Sequence, residues 1–137
     1  MIGDALVPAL ERAFPGRGLR VTPGGKPVAV FPAACPEVGD LMIYDDGEEA
    51  TVLIENVTHH HSRPYDQGLT ADALARWVAE DVVAFLTDLF ADEVLLWAIN
   101  KGQGGGGWRR GFRGTVPADI PVEAEVFVWS RCIERAG

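Results

Sequence analysis

The stretch Val38 to Tyr65, VGDLMIYDDGEEATVLIENVTHHHSRPY, constrains the fold more than any other part of the chain. Leu41 to Tyr44 and Thr51 to Val57 are rich in β-branched, aromatic and aliphatic residues, and Asp45-Asp46-Gly47-Glu48 lies between them. Asp-Gly is a strong turn signal because glycine accepts the positive φ that tight hairpins need. A four-residue loop, Asp46 to Glu49, pairs Asp45 with Ala50 and sets Asp40 opposite Glu55. A two-residue turn at Asp46-Gly47 sets Asp40 opposite Leu53 instead. In either register Asp40 and Glu55 share a face with Met42, Tyr44, Leu53, Val57, His59 and His61, because side chains alternate with period two. A three-residue loop with a glycine bulge breaks this sharing, since a one-residue slip moves a strand's side chains to the other face. Both faces of the hairpin carry apolar side chains, which predicts a position inside a sheet and not at its edge.

What surrounds the hairpin reads as a single domain over 1–137, long enough for a core. Asp4 can cap a helix running to about Phe14, with Leu6, Leu10 and Phe14 on one stripe. Leu19 to Thr22 and Pro27 to Phe31 read as short strands around Pro23-Gly24-Gly25. After Tyr65 the apolar period changes. Thr70 is positioned to cap a long helix from Ala71 to about Phe90, with Leu74, Trp77, Val78, Val82, Phe85, Leu86 and Leu89 as its apolar face. Val94 to Ile99 is a continuous apolar run, as in a strand buried on both sides. Val122 to Ile133 alternates and predicts one further strand. The expected fold class is α/β (α+β): a mixed central sheet with a central β-hairpin, one long helix after it and one short N-terminal helix packed on the sheet.

Charge narrows the function. The chain has 20 acidic and 12 basic residues and a formal net charge of −8. That weighs against a general nucleic-acid binder and suits a basic protein partner. No apolar run reaches a membrane span, and no basic start followed by an apolar stretch marks a signal peptide, so the expected setting is the cytoplasm without a membrane. Cys35 and Cys132 fit no Cys-x-x-Cys pattern and read as buried thiols of a reducing compartment.

Three clusters carry candidate chemistry. Asp40 and Glu55, on neighbouring strands, are candidate ligands for Mg²⁺ or Mn²⁺. A carboxylate inside the apolar run TVLIENV must be hydrated, paired or metal-bound. His59 and His61 form a His-x-His pair suited to Zn²⁺ if a third ligand is near. In the loop Lys101 to Gly114, KGQGGGGWRRGFRG, the residues Lys101, Arg109, Arg110 and Arg113 are interleaved with Trp108 and Phe112. Basic plus aromatic side chains can meet phosphates and stack bases. The bland alternative is a mobile loop, Gly102 to Gly107 above all, whose arginines pair with the chain's own acids. Ser62 and Ser130 lie in no nucleophile elbow.

Helix, three antiparallel strands, helix and strand, with Asp40 on the second strand and Glu55 on the third, resembles the PD-(D/E)XK nuclease-like fold over about residues 4 to 99. The resemblance implies metal binding by Asp40 and Glu55, with Glu11 matching a helix glutamate of many members. The family's lysine, which positions the attacking water, falls at Val57 here. Its role then passes to Lys101 or His59, or catalysis is absent. The sequence therefore predicts a degenerate PD-(D/E)XK-like protein, a non-catalytic interaction module of immunity or antitoxin type. The alternatives are a Mg/Mn-dependent nuclease using Asp40, Glu55 and Lys101, and a Zn-binding protein using His59 and His61.

Overall fold

A computed structural model describes residues 1–135. Its elements run α1 (Ile2–Ala13), β1 (Arg20–Val21), β2 (Ala29–Phe31), β3 (Leu41–Asp45), β4 (Ala50–Ile54), β5 (Thr58–Ser62), α2 (Ala71–Phe90), β6 (Val94–Ala98), β7 (Gly106–Arg110), β8 (Glu125–Val128) and β9 (Arg131–Ile133). The class is α+β, with the short and the long helix where the sequence puts them. The strands divide between two sheets, a five-stranded one in the order β1-β2-β3-β4-β5 and a four-stranded one in the order β7-β6-β8-β9. The central hairpin, β3 and β4, lies inside the first sheet and not at its edge, as its two apolar faces require. The chain separates into two compact units. The first comprises Met1–Pro32, Leu41–Leu53 and His60–Phe85; the second comprises Ala33–Asp40, Ile54–His59 and the chain from Leu86 on.

In the first unit, α1 buries Ile2, Leu6 and Leu10, one stripe at i, i+4 and i+8. Asp4 lies inside the first turn and does not cap it; the N-cap position belongs to Met1. The hairpin takes the register of the four-residue loop. Asp46 N–H donates to the Glu49 carbonyl at 2.9 Å, and Glu55 N–H donates to the Asp40 carbonyl at 3.0 Å. Thr70 caps α2 through its Oγ1, which accepts from Ala73 N at 3.2 Å. Val78, Val82 and Phe85 of that helix are buried, whereas Trp77, expected on the apolar face, is exposed.

In the second unit, the chain leaves α2 after Phe90 through Asp92, whose φ of 61° takes the left-handed place usually given to glycine. Asp92 Oδ1 and Oδ2 accept from Ser130 N (3.1 Å) and Ser130 Oγ (2.5 Å). That contact holds the turn Trp129-Ser130 and corrects the expectation of one strand over Val122 to Ile133. The alternation of the segment continues through a tight turn, so β8 and β9 form a hairpin with Phe127 opposite Cys132. A small core of Leu95, Ile120, Ala124 and Val126 is flanked by Trp97, Ile99 and Phe112.

Two further expectations change. The segment Lys101 to Gly114 is not one loop, because Gly106–Arg110 form β7, paired along all of β6. The glycines are there because their space is taken. A Cβ on Gly106 would lie 1.9 Å from the Val57 carbonyl oxygen, and one on Gly107 would lie 2.6 Å from Trp97 Nε1. Residues 99–105 close the β6–β7 connection with several backbone hydrogen bonds, including Gly104 N to Ile99 O at 2.9 Å and Ile99 N to Gly105 O at 2.9 Å. The histidines also move. β4 stops at Ile54, and Val57 N–H turns back to the Ile54 carbonyl at 3.0 Å. His59, His60 and His61 therefore belong to β5, a separate strand at the sheet's edge, and not to β4, which stops just before Glu55.

Candidate functional site

The end of the central hairpin brings Asp40 and Glu55 opposite each other, and both carboxylates meet backbone amides. Asp40 Oδ1 accepts from Ala33 N at 2.8 Å. Glu55 Oε1 accepts from Asp40 N at 3.2 Å. Gly39, with a φ of 87°, sits beneath this second bond; a Cβ there would lie 2.7 Å from both Glu55 Cβ and Oε1. A buried or half-buried backbone N–H needs an acceptor. Here two acidic side chains supply acceptors for the loop that leads into β3. Glu55 is exposed, which answers how a carboxylate survives after the apolar run of β4. Val57 is buried in the turn after β4. Glu11 is exposed on α1.

Lys101 adopts the left-handed region (φ 56°) and lines a cleft of ≈ 290 Å³ with Pro36, Glu37, Asn56, Ala98, Glu125 and Phe127. The carboxylates that share its cleft are thus Glu37 and Glu125.

The three histidines are divided among partners. His61 Nδ1 lies 2.6 Å from Glu49 Oε2 and 3.1 Å from Thr51 Oγ1. His60 stacks on Phe85, ring centroids 4.6 Å apart, with Nε2 3.6 Å from Asp81 Oδ2. Asp81 also accepts from the buried Ser62 hydroxyl at 2.7 Å. The backbone carbonyl of His59 accepts from Trp108 Nε1 at 3.3 Å.

The arginines after the glycines pair with acids. Arg109 makes a bidentate pair with Asp119, both bonds 2.9 Å. The guanidinium holds the Asp119 carboxyl below the usual carboxylate range, chiefly through these hydrogen bonds. Arg110 meets Asp88 at 2.6 Å, and Arg113 meets Glu93 at 3.3 Å.

Among the described residues, one group of three or more metal-ligating side chains converges: Cys35, Glu37 and Cys132, whose donor atoms all lie within 4.8 Å of one another. A turn builds one side of it, with Val38 N (3.0 Å) and Gly39 N (3.2 Å) both donating to the Cys35 carbonyl. The Cys35 thiol donates to Glu37 Oε2 at 3.1 Å and keeps that carboxyl below its ordinary value. The β8–β9 hairpin builds the other side and presents Cys132. Cys132 is exposed, not buried as the sequence suggested, and Cys35 is buried. The Cys132 thiol is held above its ordinary value, first by partial desolvation and then by the neighbouring Cys35 and the charge of Glu37. The sequence held one local signal for this cluster, the short spacing Cys35-Pro36-Glu37; Cys132 joins it only through the fold.

Family models, curated proteins and solved structures were each compared with this chain, and none matches. In the described residues no helix is long and apolar enough to cross a membrane.

Proposed function

We propose that this chain is a non-catalytic, acidic protein-interaction module that binds a basic protein partner, in the manner of an immunity or antitoxin protein. The observation that carries the reading is the matching of Arg109, Arg110 and Arg113 with Asp119, Asp88 and Glu93. The most basic stretch of the chain is neutralised from within, while the chain as a whole keeps a charge of −8. Phosphate recognition needs cationic side chains turned outward, whereas an acidic surface attracts a cationic one and speeds its encounter. Asp40 and Glu55 support the same reading, since their oxygens serve backbone amides. Tyr65 and Trp77 are exposed in the first unit. Large aromatics of this kind anchor protein interfaces, and Glu80 stands one turn from Trp77 on α2.

The test has two arms. The chain, immobilised, is used to isolate partners from its own cells, and each is measured against wild type and Trp77→Ala. The reading expects a partner of net positive charge whose affinity falls with salt and falls roughly tenfold or more in the variant. The second arm incubates the chain with DNA and RNA in Mg²⁺ or Mn²⁺. Cleavage that Asp40→Ala and Glu55→Ala both abolish overturns the proposal in favour of a nuclease.

A further inference from the structure

Cys35 and Cys132 lie far apart in the sequence, yet their sulfurs and a Glu37 oxygen fall within 4.8 Å of one another. We propose that Cys35, Glu37 and Cys132 form a zinc-binding site, with Glu125 at hand for the fourth position.

The donor set selects the ion. Two thiolates with one carboxylate are too soft for Mg²⁺ or Ca²⁺, which take oxygen ligands. The carboxylate is too hard for Cu(I), which prefers sulfur throughout. Zn²⁺ accepts both. Tetrahedral bonds of about 2.3 Å to sulfur and about 2.0 Å to oxygen put two sulfurs about 3.8 Å apart and a sulfur and an oxygen about 3.5 Å apart. The observed Cys35 Sγ to Glu37 Oε2 separation is 3.1 Å, so this pair needs to open only slightly around an ion. The bond between them is now made by the Cys35 thiol proton, and Zn²⁺ would take that proton's place.

The fourth ligand follows from the register. Phe127 pairs with Cys132, and Glu125 lies two residues before Phe127 on β8, so Glu125 shares the face of Cys132. Glu37 and Glu125 line the same cleft. Glu125 is also among the groups whose negative charge raises the Cys132 thiol. Glu37 and Glu125 set negative charge beside the sulfurs, which attracts a dication.

The experiment uses the full chain, reduced and stripped of metal. Zinc is titrated by calorimetry, and Co²⁺ replaces it as a spectroscopic probe. The proposal expects one Zn²⁺ per chain, thiolate-to-cobalt charge-transfer absorption, and two thiols protected from a thiol reagent by zinc. Cys132→Ser is the main variant because its side chain is exposed, and Cys35→Ser accompanies it. Each should weaken zinc roughly 100-fold or more, and Glu37→Gln and Glu125→Gln roughly tenfold or more, while Glu123→Gln should bind as wild type does. Binding should strengthen as pH rises, because each thiol must lose its proton to bind. Four results overturn the proposal: no zinc bound; wild-type affinity in Cys132→Ser; zinc lost instead in the double variant His59→Ala/His61→Ala; or two thiols already joined as a disulfide in the chain prepared without reductant.

Discussion

Two clusters in the second unit use acidic side chains in opposite ways. At the hairpin end, Asp40 and Glu55 turn their oxygens onto main-chain N–H groups of Ala33 and Asp40. At the cysteine cluster, Glu37 turns its oxygen onto another side chain, and a third donor stands beside both. A carboxylate bound to amides is an acceptor doing the work of a cap, and an uncharged acceptor of the same shape can replace it. A carboxylate that faces two thiols has partners that are themselves ligands. The difference separates a structural use of acids from a chemical one, and substitution can test it.

The largest effect should come from Gly39→Ala. The new Cβ meets Glu55 Cβ and Oε1 at 2.7 Å in a backbone conformation that side chains rarely adopt. We expect a loss on the order of 2–4 kcal/mol in denaturant unfolding. A loss below about 0.5 kcal/mol would mean that Glu55 swings away freely and that its bond to Asp40 N holds nothing. Next is Asp40. Asp40→Ala removes the acceptor for Ala33 N and should cost about 1–3 kcal/mol, whereas Asp40→Asn keeps an oxygen there and should cost under about 1 kcal/mol. Equal losses in the two variants would show that the negative charge itself is needed, and would bring Asp40 closer to a metal-site reading. Glu55→Gln should be milder still, about 0.5 kcal/mol, because its bond to Asp40 N is long and exposed.

The sequence made some of this legible. The long helix from Ala71 to Phe90, its Thr70 cap and the inward position of β3 and β4 were all written in local period and turn chemistry, signals that act over a few residues. The four-residue loop was one of the registers that the sequence allows, and choosing among them took the two hydrogen bonds that frame the hairpin. What escaped was decided at a distance. Beside Val57 only Asn56 favours a turn after Ile54, a weak signal at the end of an apolar run. A run of apolar and polar residues looks alike whether it continues or folds back, so the pattern alone extends β4 through the histidines. The Trp129-Ser130 turn is held through Ser130 by Asp92, which reaches it from the end of α2. The glycines at 106 and 107 read as freedom, although they answer a shortage of space beside Val57 and Trp97. Cys132 reaches Cys35 only because β8 and β9 form a hairpin that the alternation concealed.

The smallest effect is also the most direct measure of the cysteine cluster. Glu37 is exposed, and its carboxyl lies below the ordinary value of 4.5, chiefly because it accepts the Cys35 thiol. A lowered folded-state value means that the bond favours the folded chain above the unfolded-state value, and that this contribution fades as pH falls through the lower, folded one. Exposure to solvent keeps it small, so the carboxyl's own titration, followed by NMR, reports it better than global stability does. In metal-free protein Cys35→Ala should bring the Glu37 midpoint back up towards 4.5, because the donor is gone. Cys35→Ser should leave it depressed, because a hydroxyl still donates. Cys132→Ala should hardly change it, since the second sulfur makes no bond to Glu37 in the absence of an ion. A Glu37 midpoint indifferent to all three substitutions would mean that the Cys35–Glu37 contact does not persist in solution. The contrast with the hairpin-end carboxylates would then lose its chemical half.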